Sequence, residues 1–378
     1  MKRWIWEQND YPNFSYDLSK LTPIIEKVSL EQGYLNAMMQ TMTQDIKLQR
    51  QSEALIDELI STSAIEGEIL NRDSVKASIA KKFGFDEVDY NKIEKSTDNL
   101  LEILIDANTN YEDRVTLKRI FGWHNALFEK GYSGLYKINV AQFRGDETMQ
   151  VVGGGYGKEK VFYEAPPRDR LEYEMDRYLE WFNNSEATLM KAAISHLWFV
   201  IIHPFDDGNG RIARALTDIV LSKIEQSNIS RLYSFSNTIN LNKKSYYQAL
   251  ERTTGYIKKA DNYLDITIWC EWFLNTLYLS LIDAKKKLNH IFDKTSFWDK
   301  NRDRDLNIRQ IKVLNFILDI GIDNFKGTLS KKKYMSISGT SSTTASRDLS
   351  QLVEYGCIKQ VDGTQGRNIS YKIIIPNL

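Results

Sequence analysis

The segment HPFDDGNGRIAR, from His203 to Arg214, decides how the rest of the chain is interpreted. Apolar residues recur at three- and four-residue steps before and after it, a spacing that predicts two helices. Pro204 ends the first helix, because proline disfavours a helical backbone in the preceding residue and has no N–H to donate. The flexible turn from Gly208 to Gly210 opens the second helix. The segment therefore predicts a helix exit at His203 and a helix entrance soon after it.

The entrance to the second helix has the composition of an anion site. The first N–H groups of a helix lack partners and the positive end of the helix dipole favours negative charge. Arg211 and Arg214 lie one turn apart, so both can point at the same anion as forked donors. Asp207 stands just before the turn, where it can hold a hard cation such as Mg²⁺ against phosphate oxygens. Together these residues predict a polyphosphate cradle with His203 at its rim.

Each part of the segment also has an ordinary structural explanation. A lone histidine at a helix end is usually structural, and an Asp-Gly or Asn-Gly pair is usually only a turn. The combination of histidine, carboxylate, glycine turn and paired arginines favours a functional site instead.

The segment resembles the signature HxFx(D/E)GNGRxxR of the Fic family at every defining position. Fic proteins are mostly adenylyltransferases, which move AMP from ATP onto a hydroxyl side chain of a target protein. The resemblance implies that His203 is the catalytic general base and that Asp207 binds Mg²⁺; a neutral imidazole suits such a base near neutral pH. The residues that it assigns to the ATP phosphates are Gly208, Asn209, Gly210, Arg211 and Arg214.

A second motif lies upstream, in STSAIEGEIL. Apolar spacing predicts helices from about Ser19 to Leu48 and from about Gln49 to Ile65, and the second helix ends in the pattern (S/T)xxxE(G/N), which resembles the inhibitory motif of Fic proteins. The resemblance implies that Glu66 pairs with Arg214 and so removes the guanidinium from the γ-phosphate. The alternative is an exposed glutamate in a last helical turn. Because an acid is unfavourable at that end of the helix dipole, we expect an outside partner for Glu66.

The segment FRGDETMQVVGGGYGKEKVFYEAPP predicts a β-hairpin, with short strands joined by a loop from Gly153 to Gly157. We do not interpret GGGYG as a P-loop, because the helix that follows the glycines of a P-loop is missing. In Fic proteins a hairpin at this position, the flap, pairs through its main chain with an extended target segment. The candidates for target docking are Arg144 and the flap edge formed by Met149, Gln150, Val151 and Val152.

Two further candidate residues, Tyr247 and His124, lie outside these motifs. Fic proteins often have a tyrosine near the adenine in the helix that here contains Tyr247, so the resemblance implies a nucleotide contact for Tyr247, with core packing as the alternative. His124 lies in a strong apolar helical stripe, which favours a packed core histidine over a metal ligand.

Composition excludes several classes of protein. Lys+Arg and Asp+Glu are equal at 50 each in 378 residues, so no global charge favours nucleic acid or membrane. The chain contains no run of about 18 apolar residues, which argues against a membrane span, and its N-terminus turns polar too early for a signal peptide. Cys270 and Cys357 lie far apart outside any CxxC pair, so we expect buried, reduced thiols and a cytoplasmic location.

The C-terminal segment changes character after the charged stretch from Lys285 to Arg304, which marks a candidate domain boundary. Helix, short helix, Ser/Thr-rich turn, helix and a hairpin with a wing at Asp362 to Gly366 resemble a winged helix. The recognition helix of such a domain contacts DNA bases and phosphates through its start, and basic residues add phosphate contacts. The residues expected to face outward or to touch phosphate are Ser341, Ser342, Thr343, Thr344, Ser346, Arg347, Lys331 to Lys333 and Arg367. Winged helices also serve as protein docking or dimer modules.

The sequence thus predicts a mainly α protein with a Fic helical core, a small β-hairpin flap and a C-terminal winged-helix domain. The predicted divisions are an N-terminal helical region 1–110 with the inhibitory helix near 50–67, a core at 111–284 and a winged-helix domain at 285–378. The predicted function is Mg²⁺-dependent transfer of AMP from ATP to a Ser, Thr or Tyr hydroxyl of a target protein or of the chain itself, restrained by Glu66 within one chain or across a homodimer. The alternatives are a nucleotide-sensing DNA-binding regulator and a Fic enzyme that removes AMP.

Overall fold

The computed structural model describes residues 4–85, 89–153, 160–226, 232–255, 264–322, 325 and 327–376. The chain divides into two compact units, 1–284 and 285–378. The fold is mainly helical with small antiparallel strand pairs, as predicted. Within the described ranges, no helix is long and apolar enough to cross a membrane.

The N-terminal part of the first unit contains four helices within the described residues. Their bounds are α1 Leu18–Thr41, α2 Gln44–Ile65, α3 Arg72–Phe83 and α4 Lys95–Thr109. The predicted break between α1 and α2, near residues 48 and 49, is wrong, because the chain leaves the helix at Met42 and Thr43, whose backbones are extended. Asp45 in the first turn of α2 suits the positive end of its dipole, which favours the earlier start.

The central layer of the first unit contains the helices on both sides of the HPFDDGNGRIAR segment. The remaining helices are α5 Leu117–Leu127, α6 Leu171–Asn184, α7 Leu189–Ile202, α8 Asn209–Glu225, α9 Phe235–Leu241, α10 Lys243–Thr254 and α11 Thr267–Asn301. Helix α7 is buried on nearly every face, which explains its apolar composition. Trp269 of α11 donates to the Ala193 carbonyl of α7 at 2.7 Å, so the buried indole N–H is satisfied.

Two hairpins complete the first unit: β1 Tyr132–Ser133 with β2 Tyr136–Lys137, and β3 Gln150–Gly153 with β4 Lys160–Glu164. The second is the predicted flap hairpin, with a register shift between Val151 and Val152. The glycine-rich loop between its strands lies outside the described residues from 154 onward. Tyr163 of β4 is buried and donates to the Ile201 carbonyl at 2.7 Å, so the hairpin is anchored to the end of α7.

The second unit has the helices and the C-terminal hairpin in the predicted order, with an additional short strand, β5, that the sequence analysis did not predict. Its winged-helix assignment stays a prediction. Its elements are α12 Ile308–Ile320, β5 Leu329–Ser330, α13 Lys331–Ser338, α14 Ser342–Glu354, β6 Ile358–Gln360 and β7 Ser370–Ile373, with the strands in the order β5-β7-β6. At the start of α14, Ser342, Thr343, Ser346 and Arg347 are exposed and Thr344 is half-buried. The side chain of Arg367 lies outside the description.

The predicted boundary in the charged stretch falls inside a continuous helix, because α11 runs to Asn301. Its last turns are not a solvated linker, since Phe297 is fully buried in the apolar cluster of the second unit. Cys270 and Cys357 are both free and buried, as expected.

A buried carboxylate ties the helices of the second unit together. Asp348 of α14 is 2% exposed and accepts hydrogen bonds from Asn307 at 3.0 Å, from Arg309 at 2.9 and 3.1 Å, and from Tyr334 at 2.9 Å. Burial opposes ionisation, but these donors outweigh it and hold the pKa of Asp348 below its usual range. The ionised carboxylate therefore stabilises the fold above its unfolded pKa, and this stabilisation is lost as the pH falls through the lower folded pKa.

We predict that Asp348→Ala lowers the free energy of unfolding of the second unit by roughly 3 kcal/mol, because it leaves the buried Tyr334 hydroxyl without an acceptor. Hydrogen exchange of the full-length chain, read on peptides from residues 308–376, measures the effect locally. The exposed Asp303→Asn is the control and should leave exchange unchanged. Equal exchange in both variants would contradict the role given to Asp348.

Candidate functional site

His203 lies where the sequence predicted, at the C-terminal cap of α7. Its backbone is left-handed with φ 50°, an unusual conformation for a residue with a side chain. Nδ1 lies 3.2 Å from the Val200 carbonyl oxygen, which can only accept, so Nδ1 carries the proton in the neutral ring. Nε2 is then the basic nitrogen of His203.

Burial lowers the pKa of His203 to about 4. The Val200 carbonyl opposes this shift, the charge of Arg144 adds to it, and Glu66 and Asp207 oppose it. At neutral pH the imidazole of His203 is therefore neutral and able to accept a proton.

Arg144 holds the backbone around His203. The side chain is 3% exposed; Nε donates to the His203 carbonyl at 2.9 Å, and Nη2 donates to the Pro166 carbonyl beyond the flap. The Arg144 backbone N–H donates to the Pro204 carbonyl at 2.9 Å. The assignment of Arg144 to target docking is therefore wrong, because burial and these carbonyls commit the guanidinium to the fold.

The turn before α8 is fixed by its own side chains. Asn209 accepts from the Phe205 N–H at 3.0 Å and donates to the Phe205 carbonyl at 2.9 Å, so its amide braces the turn. Gly208 has φ 84°, and a Cβ there would lie 2.8 Å from a ring carbon of Phe128. A side chain at position 208 would therefore be strained and would clash.

Asp207 is held at the rim of the same turn. Its side chain accepts from the hydroxyl of Ser133 in β1, and its carbonyl accepts from Nε2 of His124 at 3.1 Å. Nδ1 of His124 accepts from the Ala141 N–H at 3.1 Å, so His124 is the packed core histidine that the sequence predicted, and it also positions the Asp207 backbone. Sequence reasoning missed this second role because no local pattern connects α5 to the turn.

The residues around Asp207 fit Mg²⁺ only if water and substrate phosphates supply the other ligands. Among the described residues, no group of three His, Cys, Asp or Glu side chains could hold a metal. Mg²⁺ usually keeps several waters and is held by one or two carboxylates together with substrate phosphates. A single carboxylate beside a helix N-terminus fits that requirement, and it does not provide an all-protein cage.

Arg214 is fully enclosed by the end of α2. It is 1% exposed; Nε donates to the Thr62 hydroxyl at 2.7 Å, and Nη2 donates to the Thr62 carbonyl at 2.9 Å and to Glu66 at 2.8 Å. Burial would lower the pKa of Arg214, but the charge of Glu66 outweighs burial and the pKa is raised. Glu66 caps the C-terminus of α2, so Arg214 is the outside partner expected there, and both residues belong to one chain.

Arg211 has a carboxylate partner that sequence reasoning missed. Nη1 donates to Glu68 at 2.7 Å, and the guanidinium lies over the ring of Phe128 at 5.0 Å from its centroid. The only sequence feature that pointed to this contact was a second acid, Glu68, directly after Gly67. An acid at that position is equally expected in an exposed turn.

Three guanidinium nitrogens at the start of α8 are buried without a hydrogen-bond partner among the described atoms. They are Nε and Nη2 of Arg211 and Nη1 of Arg214. A buried donor without a partner costs about 1–3 kcal/mol, and more when it is charged, so such groups point to a missing acceptor. Next to a helix N-terminus, three of them fit an anion with several oxygens.

A cavity of about 400 Å³ opens beside this anion site. His203, Gly210 and Glu66 lie on one side of it; Val151 and Val152 of the flap edge, 41% and 50% exposed, lie on another. Its remaining wall is mostly apolar and aromatic, with Phe162, Tyr163, Val200, Tyr246, Tyr247, Leu250, Glu251 and Thr254. The cavity joins the basic nitrogen, the start of α8 and an exposed strand edge.

Tyr247 lines this cavity but also supports α2. It is 44% exposed, and its hydroxyl donates to the Ile65 carbonyl at 3.2 Å. Its ring is available to a ligand in the cavity, while its hydroxyl closes the last turn of α2.

A histidine that is neutral at neutral pH, two enclosed arginines and a largely aromatic cavity meet at the start of α8. The model of the Fic/DOC family matches residues 114–221, and a domain of unknown function, DUF4172, matches residues 4–85. Residues 114–221 are thus similar to the Fic/DOC family.

Curated relatives named protein adenylyltransferase Fic match part of the chain. The protein of Culex quinquefasciatus is 28% identical over 186 residues, which are 46% of this chain and 33% of that protein. The protein of Nematostella vectensis is 24% identical over 179 residues, 45% of this chain and 38% of that protein. The match thus spans only about a third of the length of these relatives.

Two solved structures share the fold. A Fic family protein from Desulfovibrio desulfuricans has a TM-score of 0.51 at 20% identity and covers 94% of this chain and 97% of its own. A Fic domain containing signaling protein from Bacteroides thetaiotaomicron has a TM-score of 0.51 at 16% identity, covering 70% of this chain and 97% of its own.

We predict that His203 titrates with a pKa of about 4 in the nucleotide-free protein, and that Arg144→Met raises this pKa because it removes a neighbouring positive charge. Arg144→Lys keeps the charge and should leave the pKa low. Titration of the imidazole by NMR measures all three proteins. A wild-type midpoint near 6.5, or the same midpoint in the Met variant, would contradict this electrostatic description.

Proposed function

We propose that this chain transfers AMP from ATP to a Ser, Thr or Tyr hydroxyl of a target protein, or of itself. The single observation that carries the proposal is the set of buried, unpartnered arginine donors at the start of α8, beside a neutral His203. These groups are the anion grip and the base that such a transfer needs. The names of the curated relatives support the same reaction.

The nucleotide would lie with its phosphates at the start of α8. Backbone N–H groups from Gly208 to Gly210 and the guanidinium groups of Arg211 and Arg214 would bind the β- and γ-phosphates. Tyr247 and the apolar wall of the cavity would hold the base. Asp207 would hold Mg²⁺, which neutralises phosphate charge when bound.

In the reaction, the target hydroxyl oxygen forms a bond to the α-phosphorus of ATP. The bond between the α-phosphorus and its bridging oxygen to the β-phosphate breaks, and pyrophosphate leaves. The hydroxyl proton passes to Nε2 of His203. The arginines spread the charge of the departing pyrophosphate, so positioning and electrostatics supply most of the rate.

The target segment would bind along the flap. Val151 and Val152 are exposed on a short strand that lines the same cavity as His203. The target would add as a strand to the edge formed by Met149, Gln150, Val151 and Val152. This pairing would fix the register of the target backbone and bring one hydroxyl to His203.

Glu66 would restrain the reaction. Its carboxylate holds Arg214 and lies so close to Gly210 that a Cβ there would clash with it. An anion thus already occupies the start of α8, and it would both withdraw Arg214 from the γ-phosphate and repel that phosphate. The pair forms within one chain, so a homodimer is not needed for this contact.

A nucleotide-sensing regulator is the second candidate. The exposed serine, threonine and arginine side chains at the start of α14 favour it, because that position contacts DNA in winged helices. Removal of AMP is a third candidate function of the same site, in which Glu66 holds a water.

We also propose a cytoplasmic location, because Cys270 and Cys357 are both free and buried.

We predict that Glu66→Gly raises AMP transfer at least about tenfold over wild type, since loss of one charge-assisted hydrogen bond is worth about 1.5 kcal/mol or more. Adding His203→Ala to that variant should lower transfer by roughly 100-fold or more. Label from ATP carrying an α-phosphate label, followed on protein by gel and intact mass, measures both. Glu66→Gln, which keeps the side-chain length, should fall between wild type and Glu66→Gly. No label in any variant while ATP still binds would favour the regulator over the transferase.

We also predict that chelation of divalent metal abolishes transfer by Glu66→Gly and that Mg²⁺ restores it. Asp207→Asn in the same background should lower the Mg²⁺-supported rate by roughly 100-fold, with little change in metal-free ATP affinity. The matched control is Asp206→Asn, because the Asp206 carboxylate accepts from the Asn139 N–H at 2.7 Å and an amide oxygen can do the same. Equal rates in the two variants would exclude Asp207 as the metal ligand.

A further inference from the structure

We propose that Glu68 is a second inhibitory carboxylate, which occupies Arg211 as Glu66 occupies Arg214. This inference rests on the proposed nucleotide site and specifies how that site is regulated. It concerns a different acid and a different arginine from the pair that the inhibitory motif implies.

The first support is the contact itself. Glu68 accepts from Nη1 of Arg211 at 2.7 Å, and the Arg211 side chain is only 5% exposed. The guanidinium packs over Phe128, and Asp207 lies 3.9 Å from Nη2, outside hydrogen-bond distance. Glu68 therefore accepts the hydrogen bond from Nη1 of Arg211, whose other guanidinium nitrogens have no hydrogen-bond partner among the described atoms.

The second support is the turn that delivers both acids. Gly67 adopts φ 87°, the Gly67 N–H donates to the Ala64 carbonyl at 3.1 Å, and the Glu68 N–H donates to the Ser63 carbonyl at 3.0 Å. These bonds form a Schellman motif, which requires a left-handed residue and so favours glycine. The motif sets Glu66 and Glu68 on either side of one glycine, facing residues that lie one turn apart on α8.

The two carboxylates hold their arginines unequally. The Glu68 side chain is 44% exposed and makes one contact to Arg211, whereas Glu66 is 24% exposed and Arg214 is also held twice by Thr62. A half-exposed pair is screened by water and is weaker than an enclosed one. Glu68 would therefore release first and contribute the smaller part of the restraint.

Release of Glu68 would make the whole guanidinium group of Arg211 available to a phosphate. Nε and Nη2 of Arg211 have no hydrogen-bond partner among the described atoms, and removal of the Glu68 charge frees Nη1 beside them. Release of Glu68 would raise the affinity only for a nucleotide that has β- and γ-phosphates. AMP, which has none, serves as an internal control.

The test is ATP and AMP affinity, measured by calorimetry with Mg²⁺, for wild type, Glu68→Gln, Glu66→Gly and the double variant. Glu68→Gln keeps the length of the side chain and removes its charge. We expect it to tighten ATP binding by about three- to tenfold in both backgrounds and to leave AMP binding unchanged. The control is Glu102→Gln, which neutralises an exposed partner of Lys82 and should change neither affinity.

An unchanged ATP affinity in Glu68→Gln, an equal gain for AMP, or no nucleotide binding by any variant would overturn the proposal. Tighter ATP binding without label transfer would uphold the role of Glu68 and defeat the transferase reaction instead. The two ideas can therefore fail separately.

Discussion

The structure of the site depends on the enclosure of Arg214. An arginine that is 1% exposed must be hydrogen-bonded or it becomes very costly, and α2 supplies the acceptors through Thr62 and Glu66. The same contacts fix the end of α2 against the start of α8, and Lys243 and Tyr247 of α10 close the last carbonyls of α2. The proposed inhibition and the fold thus depend on the same buried charge of Arg214, so a substitution at Glu66 also removes a structural contact.

The position of His203 is fixed more by hydrogen bonds to the backbone around it than by bonds to its ring. Its left-handed conformation is maintained by bonds from Arg144 to the carbonyls of His203 and Pro204, and one ring nitrogen is fixed by Val200. Half-buried and flanked by a positive charge, the imidazole stays neutral, and His203 lines the cavity. As the proposed base, His203 is oriented by the Val200 carbonyl, whereas many catalytic histidines are oriented by a carboxylate.

The local features of the site could be predicted from the sequence, and the long-range ones could not. Pro204 and the glycines specify the helix exit and entrance by backbone geometry alone, and the resemblance to a family supplied the pairing of Glu66 with Arg214. The contact of Glu68 with Arg211 spans 143 residues and that of Arg144 with His203 spans 59, and neither leaves a periodic signal. The break after α1 was misplaced because Met42 continues the apolar spacing while its backbone leaves the helix.

The N-terminal residues contact two elements that border the cavity, α8 and β4. Glu66 and Glu68 approach the arginines from α2, while the indole of Trp6 donates to the Glu164 carbonyl at 2.7 Å and Trp4 packs edge-on against Tyr163, both on β4. One segment, residues 4–85, therefore touches both the helix that would bind phosphate and the strand that would support a target. Displacing that segment would remove contacts to both elements at once.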